Sequence, residues 1–228
     1  MLATGETSNR AAKVALPEPL THVGGQTGQV ATFSPGFQGR RRAGDPALPP
    51  GQYLTEDFPV LSAGPTPRVS TDTWAFSLTN EDGARVTWSL AELQALPQET
   101  PTVDIHCVTK WSKLGTSWQG VSLDTLLDAV PTDAPYALVH SYGGYTTNVP
   151  VADLRGGKAW IAHTFDGAPL AAEHGGPARL IVPHLYFWKS AKWVRSIELL
   201  ARDRPGFWER AGYHNYGDPW REQRYDGD

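Results

Sequence analysis

Glycine and proline set the tightest limit on what this chain can fold into. It carries 23 Gly and 19 Pro in 228 residues, well above the roughly 12% that the two contribute together in an average protein. Segments between them are too short for sustained 3.6-residue periodicity, so long helices are excluded. The nine Trp, gathered mainly in the second half, call for a packed apolar interior. Turn-rich, Trp-rich and poor in helical pattern together predict a β-containing fold with long, packed connections.

The order of elements sharpens this into an α+β fold with a mixed sheet system and an irregular N-terminal tail. Residues 1–50 show no period of 2 or 3.6 and read as the tail; residues 51–228 read as the domain. Strands are predicted over 74–79, 84–88, 103–108, 136–140, 146–149, 159–165, 179–182 and 193–200. Asn80-Glu-Asp-Gly83 supplies hairpin turn chemistry between the first two. Ser89-Leu-Ala-Glu92 is a capping box that opens a short helix stopped by Pro97, and 122–130 is a second short helix, also stopped by proline. These helices interrupt the strands without alternating with them, so one sheet system is expected. The run from Pro205 to Asp228 is aromatic, Gly-rich and irregular.

Charge and cysteine count exclude several classes of function. Twenty Lys and Arg against 24 Asp and Glu leave a net charge of −4, which does not suit a nucleic-acid partner, because phosphate binding needs a basic face. Apolar runs are only a few residues long, so a membrane-spanning helix is not expected. Arg40, Arg41 and Arg42 are followed by no apolar region or cleavage site, which points to a cytoplasmic protein. A single Cys, Cys107, excludes an internal disulfide and a Cys-rich metal site.

Two segments carry chemistry. Cys107 lies in Asp-Ile-His-Cys-Val-Thr-Lys-Trp-Ser, between an apolar strand and a polar, Gly-containing turn. It is either a buried structural thiol or a reactive one, since His106 and Lys110 both favour a thiolate. The second segment runs His174-Gly-Gly-Pro-Ala-Arg179 and then on to Lys189-Ser-Ala-Lys192. Gly175, Gly176 and Pro177 permit a tight backbone turn, while Arg179, Lys189, Ser190 and Lys192 have the makings of a phosphate clamp on the ends of neighbouring strands.

Taken together, the Cys107 segment, His-Gly-Gly-Pro-Ala-Arg-Leu-Ile-Val-Pro and Phe-Trp-Lys-Ser-Ala-Lys-Trp-Val resemble the molybdopterin domain of the sulfite oxidase family, in particular its short bacterial members. The resemblance covers roughly residues 53–225. It implies a mixed α+β fold holding a molybdenum–molybdopterin cofactor, with Cys107 as the one protein ligand to molybdenum. It also implies pterin contacts from His174 and Arg179, phosphate contacts from Ser190, Ala191 and Lys192, and a polar pterin contact from Ser141. Tyr213, in Trp208-Glu-Arg-Ala-Gly-Tyr213, matches a substrate-pocket tyrosine. The implied reaction is two-electron oxygen-atom transfer, either oxidation of a sulfite-like oxyanion or reduction of an S- or N-oxide. Electrons would pass through an external protein or a small carrier, since no cytochrome-like domain accompanies the resemblance.

The sequence also departs from that family. Thr55 stands where the family has a substrate-binding Arg, Asp57 where it has a His, and Gly212 where it has an acidic residue. If Glu56 and Asp57 face the pocket they repel a dianion; if they face solvent they are an ordinary charged loop. Two other classes of function remain open at this point: a Cys–His thiol enzyme, and a non-catalytic pterin- or anion-binding module.

Overall fold

The computed structural model describes residues 47–228. The expected tail therefore lies outside the described residues except for its last four positions. After β1 (Tyr53–Leu54) comes an irregular stretch to residue 74, then the hairpin β2 (Ala75–Thr79) and β3 (Arg85–Ser89). Asn80 forms the turn as its sequence suggests, its side-chain oxygen accepting from the backbone of Asp82 and Ala84. The capping box forms with both of its hydrogen bonds at the start of α1 (Leu90–Ala95). β4 (Thr102–His106), β5 (Trp111–Ser122) and α2 (Leu123–Asp128) follow, with Ser122 as N-cap of α2. The rest comprises β6 (Tyr136–Ser141), β7 (Thr146–Pro150), β8 (Trp160–Phe165), β9 (Ala168–Pro169), β10 (Arg179–Ile181) and β11 (Val194–Leu200).

These strands form the expected mixed sheet system, divided into two sheets. The five-stranded sheet has the order β3-β2-β11-β6-β7. The other has the order β1-β5-β8-β10, with β4 also paired to β5 and β9 to β8. Its longest strand, β5, was not foreseen. Its residues, Trp-Ser-Lys-Leu-Gly-Thr-Ser-Trp-Gln-Gly-Val-Ser, break alternation twice with glycine. The second break has a structural cause. The pairing of β5 with β8 shifts register at Gln119/Gly120, and a Cβ on Gly120 would lie 2.2 Å from the Ile161 carbonyl oxygen.

In the six-stranded sheet, β10 and the first half of β8 are buried on both faces, and the period of two decides what each face carries. Ile161 and Leu180 point into a large, mostly aliphatic core shared with the five-stranded sheet and both helices. Their neighbours Trp160, Ala162 and Ile181 point the other way, into a cluster with Ile105, Cys107, Trp111 and Trp118. Arg179 shares parity with Ile181 and is therefore delivered to this aromatic side, where the candidate site lies.

Candidate functional site

Cys107 follows β4 directly and sits at the tip of the β4–β5 hairpin. The turn is tight: Lys110 N–H donates to the Cys107 carbonyl at 3.0 Å, and Cys107 N–H donates to the Trp111 carbonyl at 2.8 Å. Lys110 takes a left-handed conformation, with φ 79°. The thiol is 7% exposed and accepts a hydrogen bond from Thr109 Oγ1 at 3.1 Å. Burial pushes its pKa up, and the Thr109 hydrogen bonds and the charge of Arg224 pull in the opposite direction.

Neither residue expected to activate the thiol is bonded to it. His106 Nδ1 is hydrogen-bonded to Ser112 Oγ at 2.8 Å, and burial lowers the His106 pKa, favouring the neutral ring. Lys110 is exposed. Among the described residues no histidine is hydrogen-bonded to the sulfur, so the paired nucleophile that a Cys–His enzyme requires is not formed.

The His174–Arg179 and Ser190–Lys192 segments meet, although not as neighbouring strands: β10 and β11 belong to different sheets. The loops preceding and joining these strands make the contact. Leu180 N–H donates to the Ala191 carbonyl, Trp193 N–H to Gly175 and Val194 N–H to Ala178. Glycine makes that approach possible. At Gly175, with φ 111°, a Cβ would come within 3.0 Å of Lys192 backbone, and at Gly176 within 2.1 Å of the Leu170 oxygen.

Arg179 is 2% exposed. It donates to the His174 and Ser190 carbonyls, both at 2.7 Å, and lies 4.2 Å above the Phe187 ring. Its Nε has no hydrogen-bond partner. Burial lowers its pKa to about 9, so it is charged at neutral pH. Lys192 donates to the Glu173 carbonyl at 2.8 Å, and burial with the Arg179 charge brings its pKa down to about 8. The His174 ring stacks on Phe58 with centroids 3.9 Å apart, and burial and both cations keep it neutral. Ser190 Oγ accepts from Val182 N–H at 2.8 Å.

Lys189 corrects the expected clamp. It is fully buried, pairs with Glu209 Oε1 at 2.6 Å, and donates to the Asn148 side chain and to the Asn148 and Asn215 carbonyls. The same Glu209 oxygen accepts from Thr147 Oγ1 and Trp188 Nε1. This buried knot props the aromatic wall above it, where Trp188 meets Tyr213 edge-on at 5.1 Å and Trp208 stacks on Tyr213 at 4.9 Å. Burial raises the Tyr213 pKa, with smaller contributions from Tyr225 and Cys107.

A cavity of about 520 Å³ brings these parts together. Cys107, His174, Arg179, Ser190, Ala191, Lys192 and Tyr213 all line it; Ser141 does not. Ser141 is buried at the end of β6, and the cavity is reached by Gly143, Gly144 and Tyr145 of the loop that follows it. Thr55, Glu56 and Asp57 do not line the cavity either; from that loop it takes Phe58 and Pro59. Trp111 also escaped the sequence reading. Its buried Nε1–H has no partner, and the residue lines the cavity four positions after Cys107. The strand that carries it, β5, was not foreseen, and the direction of its N–H could not be read from the sequence. Among the described residues no carboxylate lines the cavity, so Arg179 and Lys192 give this lining a positive charge. Among the described residues no group of three His, Cys, Asp or Glu side chains is placed to hold a metal, and no helix is long and apolar enough to cross a membrane.

Comparison with known proteins gives a consistent picture. Residues 63–208 match the family described as "Oxidoreductase molybdopterin binding domain". The chain is 40% identical over 197 residues to "Uncharacterized oxidoreductase YuiH" of Bacillus subtilis, covering 84% of this chain and 100% of that protein. It is 31% identical over 132 residues to "Putative protein-methionine-sulfoxide reductase subunit YedZ1" of Azospira oryzae, covering 57% of this chain and 50% of that one. The fold is similar to that of the sulfane dehydrogenase SoxCD from Paracoccus pantotrophus, with a TM-score of 0.56 and 17% identity over 64% of this chain and 42% of that one. The chain thus spans all of the Bacillus protein but half or less of the other two.

Proposed function

The chain belongs to the oxidoreductase molybdopterin-binding domain family, in keeping with its likeness to sulfite oxidases, and from that premise we propose that it performs two-electron oxygen-atom transfer at a molybdenum held by Cys107. Molybdopterin is the cofactor of the family. The observation that carries the proposal is the pairing of one soft thiol with two uncompensated cations on the wall of a single cavity.

The donor set fits the group. A metal already held by dithiolene sulfur favours one further thiolate over a cluster of hard ligands, and the buried Cys107 supplies it. Metal binding requires the deprotonated sulfur; burial disfavours that form in the metal-free chain, and the Thr109 hydroxyl and the Arg224 charge offset part of that cost. Arg179 and Lys192 carry charge for the anionic phosphate, while neutral His174 and the unpartnered Trp111 N–H offer polar contacts to the pterin. When bound, the cofactor supplies the two-electron oxygen-atom chemistry, and the protein orients it and balances its charge.

Reduction of an S- or N-oxide suits this cavity better than oxidation of sulfite. The cations lining it, Arg179 and Lys192, belong to the segments that would hold the cofactor. The wall at Phe58, Pro59, Leu61, Trp208 and Tyr213 carries no charge. A neutral oxide loses less hydration there than a dianion does. In that direction the oxide takes up two electrons and two protons, yielding the reduced substrate and water. The electrons come from an external protein or small carrier. Tyr213 lines the cavity and burial raises its pKa, which supports a role as hydrogen-bond donor to the oxide oxygen.

The test begins with purification from a cofactor-competent host and measurement of bound molybdenum and fluorescent pterin, both expected near one per chain. Metal-free protein would sink the reading. The reduced enzyme is then offered dimethyl sulfoxide, trimethylamine N-oxide and, in the oxidising direction, sulfite. Cys107→Ser is expected to abolish turnover with the fold intact; undiminished activity would overturn the ligand assignment.

A further inference from the structure

The Cys107 turn is held from outside its own hairpin by a residue that the clamp and cavity do not use. Arg224, near the C-terminus, is 6% exposed. It donates through Nη1 to the Val108 carbonyl at 2.7 Å and through Nη2 to the Pro50 carbonyl at 3.2 Å. Its guanidinium lies 5.0 Å from the centre of the buried Tyr186 ring. Gln52, two residues after Pro50 and just before β1, donates to the Cys107 carbonyl at 3.0 Å. The planar fork therefore ties the Cys107 turn to a segment more than fifty residues earlier in the sequence.

The chain is bent to put Arg224 there. Glu222 adopts a left-handed conformation with φ 57°, a geometry that costs a non-glycine residue free energy and persists where its surroundings enforce it. On either side, His214 N–H donates to the Arg224 carbonyl, Asp226 N–H donates to Gly212, and Tyr225 forms a bridge with Tyr213. The segment that carries Arg224 thus also carries the backbone pairing that places Tyr213. Its charge is only weakly answered: the nearest carboxylate oxygen, on half-exposed Glu222, is 3.7 Å from Nε.

We propose that Arg224 is a positioning residue for the molybdenum ligand: its fork fixes the Cys107 turn against the Tyr213 segment, and its charge acts on the bound metal through the sulfur. This rests on the assignment of Cys107 above. A lysine in its place keeps the charge but cannot reach two separate carbonyls with one rigid group. A methionine keeps much of the bulk and loses both.

The test uses the cofactor-loaded, full-length enzyme with Arg224→Met and Arg224→Lys. Amide exchange at Cys107 and Lys110 is expected to quicken by about tenfold or more in both variants, the scale set by losing a hydrogen bond from a charged donor. Exchange in α2 should not change. The molybdenum reduction potential is expected to fall in Arg224→Met, because a nearby positive charge stabilises the reduced metal, and to return toward the wild-type value in Arg224→Lys. Unchanged exchange at the turn in both variants overturns the proposal, as does a potential that Arg224→Met leaves in place. If Arg224→Met does not fold, Arg224→Lys alone decides the exchange arm. That arm does not depend on metal ligation, so an active Cys107→Ser enzyme would overturn the ligand assignment while leaving the clamp to be judged separately.

Discussion

Lys189 and Lys192 stand three residues apart on one loop, and both look like clamp cations in the sequence. The fold gives them opposite work. Lys189 is fully buried with a carboxylate and three further acceptors around its ammonium group. Lys192 donates to one carbonyl, and neither it nor Arg179 forms an ion pair with a carboxylate among the described residues. A cation whose charge is already matched is part of the framework. One bonded only to neutral carbonyls retains its charge for an external anion. The difference lies in the partners, which come from Glu209, Asn148 and Asn215 far along the chain, and it cannot be read from the local motif.

The largest effect that would break this comparison comes from the matched lysine. Lys189→Met leaves Glu209 buried without its cation, and removing one partner of a buried pair costs about 3–5 kcal/mol. Chemical denaturation should show that loss. A change below about 1 kcal/mol would mean that Glu209 takes a proton or water at little cost, and that the knot is not what holds the aromatic wall. Lys192→Met is expected to behave in the opposite way. Stability should move by less than about 1 kcal/mol, as for other half-exposed charges, while cofactor is lost faster on dilution or gel filtration. Equal stability losses in the two variants would erase the distinction.

A pH titration sharpens the same contrast without a mutation. Lys192 is charged below about pH 8 and Arg179 below about pH 9. Cofactor retention should therefore weaken as pH rises through 8 and 9, with an anionic cofactor displacing both midpoints upward. The linkage to folding has the other sign. Both groups have depressed values in the folded chain, so between those values and the ordinary ones the unfolded chain binds more protons, and their contribution to stability rises with pH. Retention and fold stability moving together over this window would show that the two cations do not face the cofactor.

Much of the fold was legible where local chemistry dictates it. The Asn80 turn, the Ser89 capping box, the Ser122 helix start and all eight predicted strands formed close to their expected bounds. What escaped was set by long-range pairing. β5 pairs with β1, β4 and β8 at once, and its Gly120 allows a close approach to β8 that the sequence does not announce. The division into two sheets depends on β10 and β11 parting after a shared loop contact. In the site, the residues legible from sequence were those whose types carry the chemistry: the thiol, the cations and the hydroxyls. Those that escaped, Trp111, Phe58 and Arg224, act through orientation, and orientation depends on residues brought from elsewhere in the chain.

The loop of Thr55, Glu56 and Asp57 gives the smallest effect and the finest test of what counts as part of the site. If proximity in sequence to Phe58 were enough, two carboxylates would confront the substrate. The structure turns them to the solvent: both are exposed, Asp57 N–H donates to Thr55 Oγ1, and Lys113 Nζ holds the Glu56 carbonyl from outside. Exposed charges that face bulk solvent are screened by water and salt, and contribute little to binding inside a neighbouring cavity. Glu56→Gln with Asp57→Asn should accordingly leave KM within about twofold for a neutral oxide and for an anion alike, at ordinary ionic strength. A several-fold drop in KM confined to the anion, and abolished by salt, would show that the loop's field reaches the cavity, and that the charge selectivity assigned to the apolar wall belongs in part to these two carboxylates.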